Sequence, residues 1–202
     1  MANTIYTIGH SNYKITEFLY LIKQHEIEVI ADVRSAPYSK YAPQYNKDVL
    51  KKALNNNGIK YLFLGSELGA RPADPDCYIN GRVCFEKLKE TPLFQQGISR
   101  LLEGAKNFKV CLLCSEKDPI NCHRTILVAR TLAKKGVVIQ HILENGAIID
   151  QAEIEKQMLE QFKLEPGLFD NNMDILIQDA YEMQEKNVSY KVYSGAESSY
   201  EG

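Results

Sequence analysis

Short apolar runs recur along this chain, and the stretches between them carry apolar residues at helical spacing. The runs Thr4–Ile8, Val29–Val33, Ile59–Leu64, Val110–Cys114 and Val137–Leu143 predict five strands. Segments such as IADV, YLFL and VCLL are nearly continuous rather than alternating, the pattern of strands covered on both faces. Between them, Thr16 can cap a helix carrying Phe18, Leu19, Leu21 and Ile22, and Asn46 a helix through Leu54 that Gly58 can end. Thr91-Pro92 opens another, to about Ala105, and Cys122, His123 and Arg124 begin the helix after the fourth strand. Alternating strand and helix predicts a three-layer, Rossmann-like α/β fold: a mostly parallel five-stranded sheet with helices on both faces. Beyond Glu144 the pattern turns helical, over Ala152–Leu164 and Met173–Lys186. This helical C-terminal extension has no Gly/Ser/Pro linker before it, so one α/β domain over 1–187 and a flexible tail over 188–202 are expected.

A parallel sheet brings all strand C-termini to one edge, where ligands bind. Here those ends carry His10, Asp32 and Arg34, Glu67, Cys114, Glu116, and His141 or its neighbours. The candidate catalytic groups are His10, Asp32, Cys114, Glu116 and His123. Candidate ligand-binding residues are Ser11, Asn12, Arg34, Gln44, Asn46, Glu67, Lys117, Asp118 and Arg124. Arg34 has the planar fork that grips an anion, although a strand-end ion pair with Asp32 is the structural alternative. Arg124 stands in the first turn of its helix, unfavourable for a cation unless an anion or acid faces it. Cys111 and Cys114 lie three apart on a strand and so point to opposite faces, Cys111 into the core. Cys122 begins a helix, where a thiolate is favoured. Cys114, Cys122 and His123 could share a metal, but no further ligand is visible, so neither a metal nor another cofactor is expected.

Composition narrows the partners. A formal charge of -2 gives no general pull towards nucleic acid or anionic lipid, so any anion must meet a local patch. No apolar run reaches the roughly twenty residues of a membrane helix, and the N-terminus lacks the plan of a signal peptide. Five cysteines, three in or beside one strand-to-helix unit, predict a reduced cytoplasmic protein.

The blocks YTIGHSN, DVRSAPYSKYAPQYN, YLFLGSELG and CSEKDPINCHR together resemble the bacterial and archaeal domain-of-unknown-function family numbered 488. The helical tail, with Glu165–Phe169 and Ala180-Tyr181, is similar to its longer members. That resemblance implies a Rossmann-like domain and carries no established reaction. Rhodanese-type sulfurtransferases also carry Asp-Val-Arg at a strand end, matching Asp32–Arg34. They and the cysteine-dependent phosphatases curl a much shorter loop around their anion, whereas Cys114 precedes Arg124 by ten positions, with Pro119 between. The leading expectation is an enzyme acting on a phosphorylated ligand, a nucleotide or nucleic-acid end, with Arg34 and Arg124 on the phosphate. The alternatives are a cysteine-dependent enzyme with Cys114 as nucleophile, and a non-catalytic module that binds a nucleotide or partner.

Overall fold

In a computed structural model, residues 3–166 and 172–192 are described. The chain begins with β1 (Thr4–Gly9), α1 (Ile15–Gln24) and β2 (Val29–Asp32), then α2 (Lys47–Asn55), β3 (Lys60–Phe63) and α3 (Gly65–Leu68). A two-stranded hairpin, β4 (Tyr78–Ile79) and β5 (Arg82–Val83), leads to α4 (Phe85–Glu90) and α5 (Pro92–Gly104). Next come β6 (Val110–Cys114), a wide helical turn over Arg124–Ala129 that continues as α6 (Arg130–Ala133), and β7 (Val138–Ile142). β8 (Ile148–Asp150), α7 (Gln151–Phe162) and α8 (Met173–Val188) complete it.

The central sheet runs β3-β2-β6-β1-β7-β8, parallel except for β8. Alternate residues of its inner strands enter two separate cores, as a period of two demands. Ile5, Ala31, Leu112 and Cys114 pack with Phe94 of α5, Leu127, and Tyr181 of α8. Ile8, Ile30, Cys111 and Leu113 pack on the other face with Phe18 of α1 and Leu50 of α2. Each buried Ile or Leu on these faces contributes about 1.5–3 kcal/mol to holding the helices on the sheet.

The fold class read from the sequence holds, with six strands rather than five in this sheet. β8 is three residues long and only partly buried, so its apolar signal is weak. It turns back beside β7 through Gly146, whose φ of 79° closes the Leu143–Ala147 turn. The long segment after β3 is also structured. Asn80-Gly81, at φ of 50° and 73°, has the two left-handed residues of a tight hairpin turn between β4 and β5. α1 starts one residue before Thr16: Lys14 is the cap, and its backbone N–H is taken by Glu17 at 3.1 Å. Thr91 does cap α5, accepting the Phe94 N–H at 3.2 Å.

Residues 189–192, inside the stretch expected as a tail, lie along the hairpin. Val83 N–H donates to Tyr190 O and Val192 N–H to Gly81 O. The rest of that tail, 193–202, and most of Glu165–Phe169 lie outside the described residues. Among the described residues, no helix is long and apolar enough to cross a membrane.

Candidate functional site

The site is built on the loop between β6 and the helix after it. Past the strand ends the β1–β6 pairing continues, with His10 N–H donating to Cys114 O and Ser11 N–H to Ser115 O, both at 2.9 Å. This draws the loop across the end of β1, where only glycine leaves room: a Cβ on Gly9 would sit 1.7 Å from the Glu116 carbonyl oxygen. Arg124 holds the loop from below. Its guanidinium donates to Glu116 O at 2.5 Å, Lys117 O at 3.1 Å and Thr7 Oγ1 at 3.4 Å. Asp118 accepts the Ile120 N–H, and buried Gln184 of α8 donates to Ile120 O and Asn121 Oδ1.

That framework brings Cys114, Cys122 and His123 together, with their ligating atoms all within 4.8 Å of one another. The hydrogen-bond partners set the imidazole's tautomer. His123 Nε2 faces the Val33 carbonyl at 3.0 Å and must donate to it, so in the neutral ring Nδ1 presents a lone pair. That lone pair faces Cys114 Sγ at 3.6 Å. Cys122 Sγ accepts the Arg124 backbone N–H at 3.5 Å, the helix-start contact that favours a thiolate. Burial opposes ionisation of Cys122, but the Cys114 thiol, Arg124 and His123 together hold it well below the usual thiol range. Cys114 moves well above that range, through its contact with Cys122 and its burial. The two thiols are thus pushed in opposite directions, Cys122 down and Cys114 up. The cluster opens on a cavity of about 370 Å³ whose lining includes Arg34, Arg71, Glu116, Asn121 and Tyr190.

A second group stands beside it. Asp32 is fully buried and accepts from Arg34 Nε at 2.8 Å, from an Arg34 terminal nitrogen at 2.6 Å, and from Tyr61 OH at 2.7 Å. Arg34 also donates to Tyr45 O and to His10 Nε2, and His10 Nδ1 donates to Ser11 O. Both His10 nitrogens are therefore occupied in the neutral form. Burial, with the Arg34 charge, lowers its pKa to about 4. The ring stacks on Tyr45, with centroids 4.0 Å apart.

The residues singled out from the sequence divide accordingly. Cys114, Glu116, His123 and Arg34 border the cavity on which the cluster opens, while His10, Ser11, Asn12 and Lys117 line another that Arg34 and Glu116 share. Gln44 donates to Tyr13 O, Asn46 accepts the Ser39 N–H, and Glu67 pairs with Arg100 on α5. Lys117 pairs with Glu144. Neither arginine is solvated in the fold: Arg34 is 6% exposed and Arg124 has no exposure at all. The cause is local, since Asp32 lies two residues from Arg34 and the loop carbonyls fold over Arg124.

The sequence reading did not single out Thr7, Gln151, Tyr181 or Gln184. From Arg124 a one-directional chain of hydrogen bonds runs through Thr7 OH to His141, on to Gln151, Tyr181 OH and the Glu155 carboxylate. Its trace in the sequence is His141, an imidazole within an otherwise apolar strand.

The family model described as Domain of unknown function DUF488 matches residues 14–131. The match runs from the cap of α1 into α6 and includes Arg34, Cys114, Cys122 and His123. No curated protein and no solved structure matches the chain.

Proposed function

The chain belongs to that family, whose description names no reaction, and we propose from the site itself that it is a cysteine-dependent enzyme acting on a small anionic ligand. The observation that carries this reading is the Cys114–His123 pair on the cavity wall, with Nδ1 aimed at Sγ and Nε2 held by Val33. A nucleophile touching a base that a third group orients is the general signature of covalent catalysis. Cys114 is assigned as the nucleophile because it is 5% exposed against 1% for Cys122 and has the His123 Nδ1 at its sulfur.

In the proposed sequence, His123 Nδ1 takes the Cys114 proton as Sγ attacks the electrophilic atom of the ligand. The Sγ bond forms, the bond to the leaving group breaks, and the imidazolium returns the proton to that group. An incoming acceptor, water or an alcohol, then attacks the adduct while His123 Nδ1 removes its proton; the bond to Sγ breaks, the product leaves, and the imidazolium returns that proton to Sγ, restoring the thiol.

The ligand is proposed to be anionic, and phosphorylated in the leading case, because Arg71 stands exposed on the same cavity. Its guanidinium carbon lies 4.6 Å from the Tyr190 ring, and no carboxylate pairs with it among the described residues. Arg71 thus takes the anion-binding part that the sequence reading gave to Arg34 and Arg124. The His10–Asp32–Arg34 group is assigned a positioning role. A free thiol of this kind suits the reducing cytoplasm.

Alkylation by iodoacetamide with peptide mapping tests the reading. Cys114 should react faster than Cys111, which is fully buried and has its pKa raised by that burial. His123→Ala should slow Cys114, by ~100-fold if the base contributes at the usual lower bound. Inorganic phosphate should protect the parent and not Arg71→Ala. A Cys114 that reacts no faster than Cys111 overturns the enzyme reading. Protection that survives loss of Arg71 overturns the ligand assignment.

A further inference from the structure

Beyond the reaction, the same cluster has the shape of a metal site with one position open. We propose that Cys114, Cys122 and His123 form a three-ligand site for a zinc-class divalent cation, whose fourth position faces the cavity and whose occupancy silences the nucleophile. The silencing part rests on the thiol reading above; the metal site itself does not.

Four observations carry it. The ligating atoms of all three side chains lie within 4.8 Å of one another, close enough for one ion to touch each. The Cys114 Sγ to His123 Nδ1 separation is 3.6 Å. A tetrahedral zinc with sulfur at about 2.3 Å and nitrogen at about 2.05 Å requires an S···N edge of about 3.6 Å. The second observation therefore places two ligands where an ion would hold them.

The third is the outer support. A ligating imidazole donates its other N–H to a carbonyl or carboxylate, which fixes its orientation. His123 does this to Val33 O at 3.0 Å. Cys122 Sγ already accepts the Arg124 backbone N–H, and a ligating thiolate keeps such a bond. The fourth is rigidity. Cys114 ends a strand, Cys122 and His123 stand immediately before the helical turn that starts at Arg124, and Arg124 and Gln184 pin the loop between them.

Donor chemistry selects the ion. Two thiolates and an imidazole favour zinc over magnesium or calcium, which prefer oxygen. Binding displaces the Cys114 proton, so two thiolate charges neutralise the dication in a buried setting. Three protein ligands with an open position are the plan of a site that exchanges or binds exogenous ligands, whereas structural zinc closes all four. The missing fourth ligand, which argues against a metal when only the sequence is read, here is the cavity itself.

The test uses cobalt as a spectroscopic substitute on the full-length, chelator-treated, reduced chain. One equivalent of Co²⁺ should produce a sulfur-to-cobalt charge-transfer band in the near ultraviolet, and one equivalent of Zn²⁺ should abolish it. Cys114→Ser, Cys122→Ser and His123→Ala should each weaken cobalt binding by more than the roughly 10- to 100-fold typical of losing an outer partner. Cys84→Ser, outside the cluster, should keep the band. If a variant does not fold, zinc-induced thermal stabilisation of the parent decides, and its absence counts against the site. No band, or one that survives loss of both Cys114 and His123, overturns the metal site.

Alkylation of Cys114 with and without Zn²⁺ separates the two readings. Reactive Cys114 that zinc does not protect leaves the enzyme reading standing and removes the metal inference. A cobalt band on a chain whose Cys114 is inert supports the metal site and removes both the nucleophile and the silencing that rests on it.

Discussion

Arg124 has no exposed surface, yet every guanidinium nitrogen faces an oxygen: Nε faces Thr7, and the two terminal nitrogens face the Glu116 and Lys117 carbonyls. A charge so placed fixes backbone rather than waiting for a ligand. Arg124→Ala would leave two loop carbonyls and a hydroxyl without their donor and open a cavity beneath the loop. At about 1–3 kcal/mol per unsatisfied buried group, a loss on the order of 3 kcal/mol of stability is expected. Urea unfolding measures it, and a variant within 0.5 kcal/mol of the parent, the usual spread of neutral surface changes, would exclude this role. Arg34→Lys tests the neighbouring group. Lysine keeps the charge and loses the fork, so Asp32 gives up its paired contacts while Tyr61 remains. Stability should fall by about 1–3 kcal/mol, and Cys114 alkylation should change little, because Asp32 and His10 position rather than react. A large drop in reactivity with unchanged stability would mean that Arg34 acts on the ligand directly.

Among the elements, Gly9 decides whether the β6 loop can cross β1. In Gly9→Ala the new methyl would meet the Glu116 carbonyl, which is backbone held by Arg124 and cannot swing aside cheaply. Both the melting temperature and the Cys114 alkylation rate should drop together; a normal rate in a destabilised variant would show that the loop does not set the cluster. The inner strands were legible in the sequence because burial on both faces leaves an unbroken apolar run, as in Val110–Cys114. β8 was not legible, since it is three residues long and two of them are exposed. The Asn80-Gly81 turn carries a readable hairpin signal, but the two-residue strands it joins are too short to show an alternating period. The site was legible as a place and not as a wiring diagram. Strand ends put Cys114, His123 and Arg34 at one edge on topology alone. Which partner each side chain takes depends on the path of the loop over Gly9 and on α8, which reaches back through Gln184. No local pattern encodes contacts across 63 residues, such as Gln184 to Asn121.

Across the whole molecule, two buried neutral imidazoles couple stability to pH. His10 is held neutral by burial and the Arg34 charge, and its pKa falls to about 4. His141 falls to about 4 through burial, opposed by its bond to Gln151. In the unfolded chain both return to about 6.5. Between these values the unfolded state binds protons that the folded state refuses, so stability rises with pH there. Their contribution is complete above about 6.5 and is lost progressively as pH falls towards 4. Each amounts to about 3 kcal/mol at most, from 1.36 kcal/mol per pKa unit. Glu155 and Glu185, whose carboxyls burial pushes up, pull the other way by taking protons in the folded state, and offset part of the acid loss. The net expectation is a urea midpoint that declines from pH 7 to pH 5. His141→Gln keeps a donor for Gln151 and removes one titrating group, so it should be less stable at pH 7 and flatter with pH than the parent. A parent curve with no slope between pH 7 and 5, or a His141→Gln curve as steep as the parent's, would show that the chain from Arg124 to Glu155 does not hold His141 in its neutral form.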